Sequence, residues 1–294
     1  MEKQKRAYLY ACVAVLLWST IASAFKISLR FIDIFGLLFY ASLTASVFLF
    51  LYLLILKKLQ LLKAFTSRDY LRSALLGFLN PFLYYVILLK AYSILKAQEA
   101  VTLNFIWPIM LVLLSIPLLH QRIKPGSILA IVISFLGVFV IATEGDILGF
   151  RFTNTAGVLL ASGSSVIWAL FWIYNVKDKH DEAVRLFVNF AFGTFFIFVA
   201  ILFFSELKLP NRNGIIGAIY VGLFELGITF LIWLKALRLS KTTAHVVSLI
   251  YLVPFFALVV ISFAVGEEIL LSTVIGLGLI VAGIILQKFW GRPA

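Results

Sequence analysis

One carboxylate lies in the middle of a long apolar stretch. Glu225 stands in "GLFELGITF", and Asn80 stands at the matching place in the similar stretch "FLNPFLYY" about 145 residues earlier. Polar side chains are costly to bury inside such apolar helices, so they usually pair with or bind something. We expect Asn80 and Glu225 to contact a substrate, and Glu225 is the candidate for proton coupling. The alternative is that Glu225 pairs structurally with a neighbouring Ser, Thr or Lys.

A second set of unusual residues lies in "LNFIWPIM", residues 103–110, within a run that is otherwise apolar from 101 to 119. Pro108 removes a backbone hydrogen bond, and Asn104 lies four residues earlier on the same helix face. The matching stretch "SLIYLVPFF", residues 248–256, contains Pro254 at the equivalent place. The pattern predicts two kinked helices, with kinks at Pro108 and Pro254, and Asn104 turned toward a substrate path.

Residue types typical of catalysis or metal binding form no pattern here. The three histidines are scattered at positions 120, 180 and 245, and the lone Cys12 permits no internal disulfide. The sequence shows no Gly-rich phosphate loop, no metal-ligand spacing, and no paired nucleophile and base. We therefore expect no enzyme activity, no cofactor and no metal.

The composition indicates what kind of elements position these residues. Hydrophobic residues make up 63% of the 294 residues, charged residues 13%, and mean hydropathy is +1.09. Continuous apolar runs, each about 17 to 25 residues long, predict membrane-spanning helices and exclude a barrel. The chain is predicted to be an all-α integral membrane protein with ten transmembrane helices, at residues 7–25, 34–56, 72–95, 98–119, 127–143, 155–176, 184–204, 214–236, 242–265 and 272–289.

The distribution of charge predicts the orientation. If the N-terminus is cytoplasmic, 18 of the 25 Lys and Arg residues fall on the cytoplasmic side. This excess follows the positive-inside rule and places both termini in the cytoplasm. The net charge of +12 then reflects topology and membrane lipid, so no nucleic acid partner is needed. The expected location is the plasma membrane, either a bacterial inner membrane or an archaeal cell membrane.

The sequence also repeats itself. Residues 76–98 align with residues 221–243, and residues 133–141 align with residues 279–287. Each half holds five predicted spans, an odd number, so the second half must cross the membrane in the opposite direction. We predict two inverted five-helix repeats, residues 1–148 and 149–294, around a central cavity. Such inverted repeats characterise secondary transporters.

Several stretches resemble the drug/metabolite transporter superfamily, EamA type. They are "LLWST" at 16–20, "LNFIWP" at 103–108, the region 235–268, and "GLGLIVAGIIL" at 276–286. The first two are also similar to the bacterial aromatic amino acid exporters. The resemblance covers essentially the whole chain and implies export of a small metabolite, commonly an amino acid, from a central cavity. Its implied binding residues are Trp18, Ser19, Asn80, Tyr84, Asn104, Trp107, Trp168, Glu225, Ser248 and Tyr251.

The sequence departs from the superfamily pattern in two places and leaves a second function open. The second span lacks the arginine that many relatives carry, and His120-Gln121 stands where the second half has Gly266-Glu267. Both departures put in doubt a salt-bridge latch there. The alternative functions are a transporter or flippase of a lipid-like or drug-like amphiphile and a non-transporting membrane scaffold. The expected partners are a small-molecule substrate and membrane lipid, whereas the oligomeric state cannot be predicted.

Overall fold

A computed structural model describes residues 2–119, 125–146, 148, 154–176, 180–239 and 248–290, and these contain helices but no β-strand. The α-helices are α1 (Glu2–Ser28), α2 (Ile34–Ile55), α3 (Ser67–Gly77), α4 (Tyr84–Ile94), α5 (Ala97–Asn104), α6 (Trp107–Leu119), α7 (Pro125–Ala142), α8 (Thr155–Val176), α9 (Glu182–Phe204), α10 (Arg212–Val221), α11 (Ile228–Leu239), α12 (Val253–Val265) and α13 (Leu271–Trp290). Two π-helical stretches, the first π segment (Phe78–Leu83) and the second π segment (Gly222–Gly227), join α3 to α4 and α10 to α11. The described residues also contain two short 3₁₀ helices, Leu59–Ala64 and Ser248–Leu252.

The helices confirm the predicted class of all-α membrane protein. Helices satisfy their own backbone hydrogen bonds, which is what a hydrocarbon environment requires. Within the described residues, six helical stretches are long and apolar enough to cross a membrane: Lys3–Ser28, Ile34–Ile55, Ser67–Ile94, Thr155–Tyr174, Glu182–Phe204 and Arg212–Trp233. Shorter apolar helices at Ile131–Ala142, Val253–Val265 and Leu271–Leu286 coincide with the predicted fifth, ninth and tenth spans.

The predicted fourth and ninth spans are interrupted just before their prolines. The fourth is divided between α5, which ends at Asn104, and α6, which begins at Trp107. In the described part of the ninth, a 3₁₀ helix precedes α12. Pro108 and Pro254 are each the second residue of the helix that follows, where a missing N–H breaks no intrahelical bond. Each proline therefore lies just after an interruption rather than in the interior of a continuous helix.

The helices pack into two compact units. The first unit comprises Met1–Val86 and Lys177–Val260, and the second comprises Ile87–Val176 and Ile261–Ala294. Each unit thus draws residues from both halves of the sequence, because helices of one half pack on helices of the other. The repeat boundary between residues 148 and 149 concerns the sequence and stays a prediction.

In the first unit, α2 and α9 lie antiparallel. Ser205, directly after α9, donates a 2.9 Å hydrogen bond to Asp33, which caps the start of α2. At the other end, Lys58 follows α2 and lies 2.7 Å from Asp181, which caps the start of α9. The start of each helix therefore lies beside the end of the other.

The second unit has a similar antiparallel pair, α7 and α13. The hydroxyl of Ser134 donates to the carbonyl oxygen of Ile280 at 3.3 Å, whereas Gly145, beyond the end of α7, lies beside Ser272 at the start of α13. Between these points the two backbones touch. A Cβ atom on Gly137 would lie 2.5 Å from the carbonyl oxygen of Gly276, so only glycine permits this approach.

Candidate functional site

Asn80 and Glu225, the two polar residues singled out from the sequence, both lie in π segments. Asn80 belongs to the first π segment and has non-helical backbone angles, φ −152° and ψ 120°. Glu225 belongs to the second π segment, which ends with a bond from Ile228 N to Leu223 O, five residues earlier. Such π-turns interrupt the regular hydrogen-bond pattern and frequently occur at functional sites. Equivalent places in the two halves therefore both carry a π segment, and in the first of them Asn80 departs from helical backbone angles.

Glu225 has a defined hydrogen-bond partner on α4. The Tyr85 hydroxyl donates to Oε1 of Glu225 across 2.7 Å, and the Phe25 ring packs against the Tyr85 ring at 6.1 Å. Tyr85 is 1% exposed to solvent and Glu225 is 9% exposed. Within the described part of the chain, Oε2 of Glu225 has no hydrogen-bond partner. The partner is therefore a tyrosine rather than a Ser, Thr or Lys, and one carboxyl oxygen remains available to a ligand.

Asn80 is fully buried, and neither polar atom of its amide has a partner among the described residues. The same is true of Asn189 on α9. Both residues lie beside the contact between the end of α3 and α9. Gly77, three residues before Asn80, packs directly on the Asn189 backbone, since a Cβ atom on Gly77 would lie 2.3 Å from the carbonyl oxygen of Asn189. On the next turn of α9, a Cβ on Gly193 would lie 2.3 Å from Pro81. A buried amide left unpaired costs about 1 to 3 kcal/mol, so two of them at one contact are unusual.

The other described candidates of the first unit divide into two groups. Tyr84 is buried and its ring lies 4.7 Å from that of Tyr85, so it joins the Glu225 cluster. Trp18 instead packs on α11, with its ring 5.5 Å from Trp233. The hydroxyl of Ser19 lies 2.6 Å from the carbonyl oxygen of Val15, one turn earlier on α1. The shorter contact of Ser19 is therefore within its own helix, and its hydroxyl also lies 3.3 Å from the carbonyl oxygen of Val253 at the start of α12.

Three candidates lie in the second unit. The Asn104 amide donates to the Ser164 hydroxyl at 2.7 Å, joining the end of α5 to α8. Trp168 is buried between the rings of Phe171 and Trp172, each 5.9 Å away. Trp107 is half-buried at the start of α6. That these residues line one cavity with those of the first unit stays a prediction.

Three predicted residues fall partly outside the described residues. Ser248 and Tyr251 belong to a 3₁₀ helix, and Pro108 belongs to α6, but the placement of their side chains lies outside that description. Conversely, the site residues predicted from the sequence include neither Tyr85 nor Asn189. Both are polar groups in the middle of apolar spans, the signal that identified Glu225, so the same criterion could have found them.

The carboxylate of Glu267, in the motif Gly266-Glu267, accepts hydrogen bonds from backbone N–H groups rather than from a basic side chain. Its two carboxyl oxygens accept hydrogen bonds from the backbone N–H groups of Ala97 at 2.8 Å and Gln98 at 3.3 Å. The Gln98 side chain in turn donates to the carbonyl oxygen of Glu268 and accepts from the N–H of Leu270. A carboxylate at a helix N-terminus satisfies otherwise unpaired N–H groups and complements the helix dipole. This contact fastens α5 to the loop that precedes α13.

Comparison with known proteins identifies a family along almost the whole chain. Residues 5–143 and residues 155–287 each match the EamA-like transporter family. The two matched ranges cover the two halves in which the sequence repeats.

Individual relatives agree with this match. An uncharacterized transporter of Archaeoglobus fulgidus is 25% identical over 285 residues, which is 96% of each chain. An uncharacterized transporter of Clostridium kluyveri is 26% identical over 250 residues, or 81% of this chain and 77% of the relative. A protein of known crystal structure is similar with a TM-score of 0.67 and 20% identity over 97% of both chains, a likeness that concerns the fold.

Proposed function

Because this chain belongs to the EamA-like transporter family, we propose that it is a secondary transporter that exports small metabolites by alternating access. Amino acids, aromatic ones included, are the proposed substrate class. Glu225 is the proposed substrate or proton site. Membrane transport is the general activity of the family. The export direction, the substrate class and the role of Glu225 are what we propose for this chain.

The observation that carries the proposal is the environment of Glu225. A carboxyl group inside a membrane-spanning helix is retained where it serves an ion or substrate path. Here Tyr85 orients one oxygen, and the other oxygen has no partner in the described residues. The neighbouring Tyr84 and Phe25 rings supply an apolar surface beside this polar group. A polar anchor beside aromatic rings is the chemistry that binds a small amphipathic molecule.

The proposal of alternating access rests on inverted repeats. The N-caps Asp33 and Asp181 are related by a shift of about 148 residues, and Thr66 and Asn211 by a shift of about 145. The repeat-related helices α2 and α9 run antiparallel, as two halves of opposite topology require, and so do α7 and α13. Opposite topology of this kind lets one chain exchange two conformations of similar energy.

Location and orientation are part of the same proposal. We propose that both termini lie in the cytoplasm and that the protein lies in the plasma membrane. The support is the excess of Lys and Arg in the loops assigned to the cytoplasmic side.

The experiment is a counterflow screen. Purified protein is reconstituted in liposomes that are loaded with one unlabelled amino acid, and uptake of the same labelled amino acid is followed. We expect saturable counterflow for a subset that includes aromatic amino acids, and none in protein-free liposomes. Nucleobases and cationic amphiphiles are tested as competitors. If no amino acid exchanges and an amphiphile does, the proposed substrate class is wrong.

A further inference from the structure

We propose that the first unit binds an anionic phospholipid, with one acyl chain in a groove between α3 and α9 and the headgroup at the basic segment 57–72. This site does not depend on which molecule the protein transports. It follows from an apolar groove, a set of basic side chains at its end, and the chemistry of the bilayer around a membrane-spanning helix.

The groove is apolar and of ligand size. Its volume is about 510 Å³, which lies within the range of about 300 to 1,000 Å³ typical of small-molecule sites. One wall comes from the 3₁₀ helix Leu59–Ala64 and from α3, and the other comes from α9. The lining includes Leu62, Tyr70, Phe187, Ala191, Phe192 and Phe195.

The groove runs along a membrane-spanning helix. Phe187 lies in the second turn of α9 and Phe195 about two turns further on, where it is 58% exposed. Because Glu182–Phe204 is long and apolar enough to cross a membrane, we infer that this exposed surface faces lipid hydrocarbon. An acyl chain is the apolar occupant that such an environment supplies.

The end of the groove near the start of α9 adjoins a strongly basic segment. Residues 57–72 contain five Lys or Arg and one acidic residue, Asp69. Lys58 already forms an ion pair, because its ammonium group lies 2.7 Å from the carboxylate of Asp181. Burial acts to raise the pKa of Asp181, but the hydrogen bond from Lys58 and those from backbone N–H groups hold it below its usual value, so this carboxylate is ionised at neutral pH.

Asp69, the one acidic residue of the segment, also has neighbouring side-chain partners. The Thr66 hydroxyl donates to Asp69 at 2.6 Å. Asp69 also lies 3.8 Å from His180. Four exposed basic side chains form no ion pair within the described part of the chain and are available to an anionic headgroup: Lys57, Lys63, Arg68 and Arg72.

Tyr70 connects the apolar and the basic parts. It lines the groove, and its hydroxyl donates to the backbone oxygen of Leu62 at 3.3 Å, beside Lys63. Tyrosine with an apolar ring and a polar tip is typical of the membrane interface. A basic residue near an anionic membrane surface contributes about 1 kcal/mol of attraction, so headgroup charge decides which lipid occupies the groove. A zwitterionic lipid fills the same groove without this gain.

The test is native mass spectrometry of the purified full chain with lipids of equal acyl chains. The protein is incubated with an equal mixture of dioleoyl phosphatidylglycerol and dioleoyl phosphatidylcholine, and the retained lipids are counted. We expect wild type to retain phosphatidylglycerol preferentially. The triple substitution Lys63→Gln, Arg68→Gln and Arg72→Gln should lower this preference by about fivefold or more. The matched control, Arg30→Gln with Arg212→Gln, removes exposed basic residues elsewhere and should leave it unchanged.

A second variant tests the groove independently of charge. Ala191→Trp places an indole in the groove and should lower retention of both lipids, whereas Leu202→Trp, on the exposed surface of α9 outside the lining, should not. Folding is checked by the melting temperature of each variant. Equal preference for phosphatidylglycerol in wild type and the triple variant, or equal retention by the two tryptophan variants, would overturn the proposal.

Discussion

The Tyr85 hydroxyl lies 2.7 Å from Oε1 of Glu225 and joins the two halves of the sequence within the first unit. The repeat predicted from the sequence pairs Tyr85 with Phe230 and Glu225 with Asn80. The equivalent pair, Phe230 and Asn80, therefore has an amide but no hydroxyl. We expect this difference to explain why Glu225 has a partner, whereas the amide of Asn80 has none among the described residues.

Tyr85→Phe removes the only donor to Glu225 found among the described residues. Such a hydrogen bond contributes about 0.5 to 1.5 kcal/mol when the carboxyl group is neutral and about 1.5 to 3 kcal/mol when it is ionised, so we expect a lower melting temperature and a changed pH dependence of flux. The control is Tyr220→Phe, which removes the 2.7 Å contact with the Thr20 hydroxyl in the same unit and leaves Glu225 unchanged. If both variants have the same pH profile as wild type, Tyr85 does not position Glu225.

Phe230→Tyr should supply the missing partner of Asn80. Phe230 packs on Phe190 of α9 at 5.9 Å, on the same turn that contacts the first π segment through Gly193. We expect the melting temperature to stay equal to that of wild type or to rise.

The control for this substitution is Phe190→Tyr, which also adds a hydroxyl to a fully buried ring. The hydroxyl added at position 190 has no predicted partner, so we expect Phe190→Tyr to lower the free energy of unfolding by about 1 to 3 kcal/mol. A loss of stability of the same size in both variants would contradict the pairing that the inverted repeat predicts.

Glu267→Ala should destabilise the second unit. The substitution leaves the backbone N–H groups of Ala97 and Gln98 without their acceptor, and loss of such a cap costs about 1 kcal/mol. Glu268→Ala is the matched control, since Glu268 contributes its backbone oxygen to the contact with Gln98. Thermal unfolding in detergent should separate the two variants, and equal melting temperatures would refute the capping role.

The helical membrane class and most span positions could be predicted from the sequence, because the length of an apolar run directly reflects the thickness of the bilayer. The second span, predicted at 34–56, is found at Ile34–Ile55. The correspondence of Asn80 with Glu225 was also visible, and both residues lie in π segments.

The irregular parts could not be predicted in the same way. A π-turn changes the hydrogen-bond pattern without changing hydropathy, so nothing in "GLFELGITF" marks it. The interruption between α5 and α6 falls at Phe105 and Ile106, before the proline rather than at it. The partner of Glu225 depends on which face of α4 meets the second π segment. Hydrophobic periodicity does not determine that contact in helices that are apolar on all sides.

The most direct test of the account is the flux of Glu225→Gln in proteoliposomes, measured as a function of pH beside Glu206→Gln. Glutamine keeps the size of the side chain but cannot ionise, and Glu206 is an exposed carboxylate paired with Lys208. We predict that Glu225→Gln lowers flux by about tenfold or more, or removes its pH dependence, while the protein stays folded and Glu206→Gln behaves as wild type. Unchanged flux with unchanged pH dependence in Glu225→Gln would contradict a transport role for this carboxyl group.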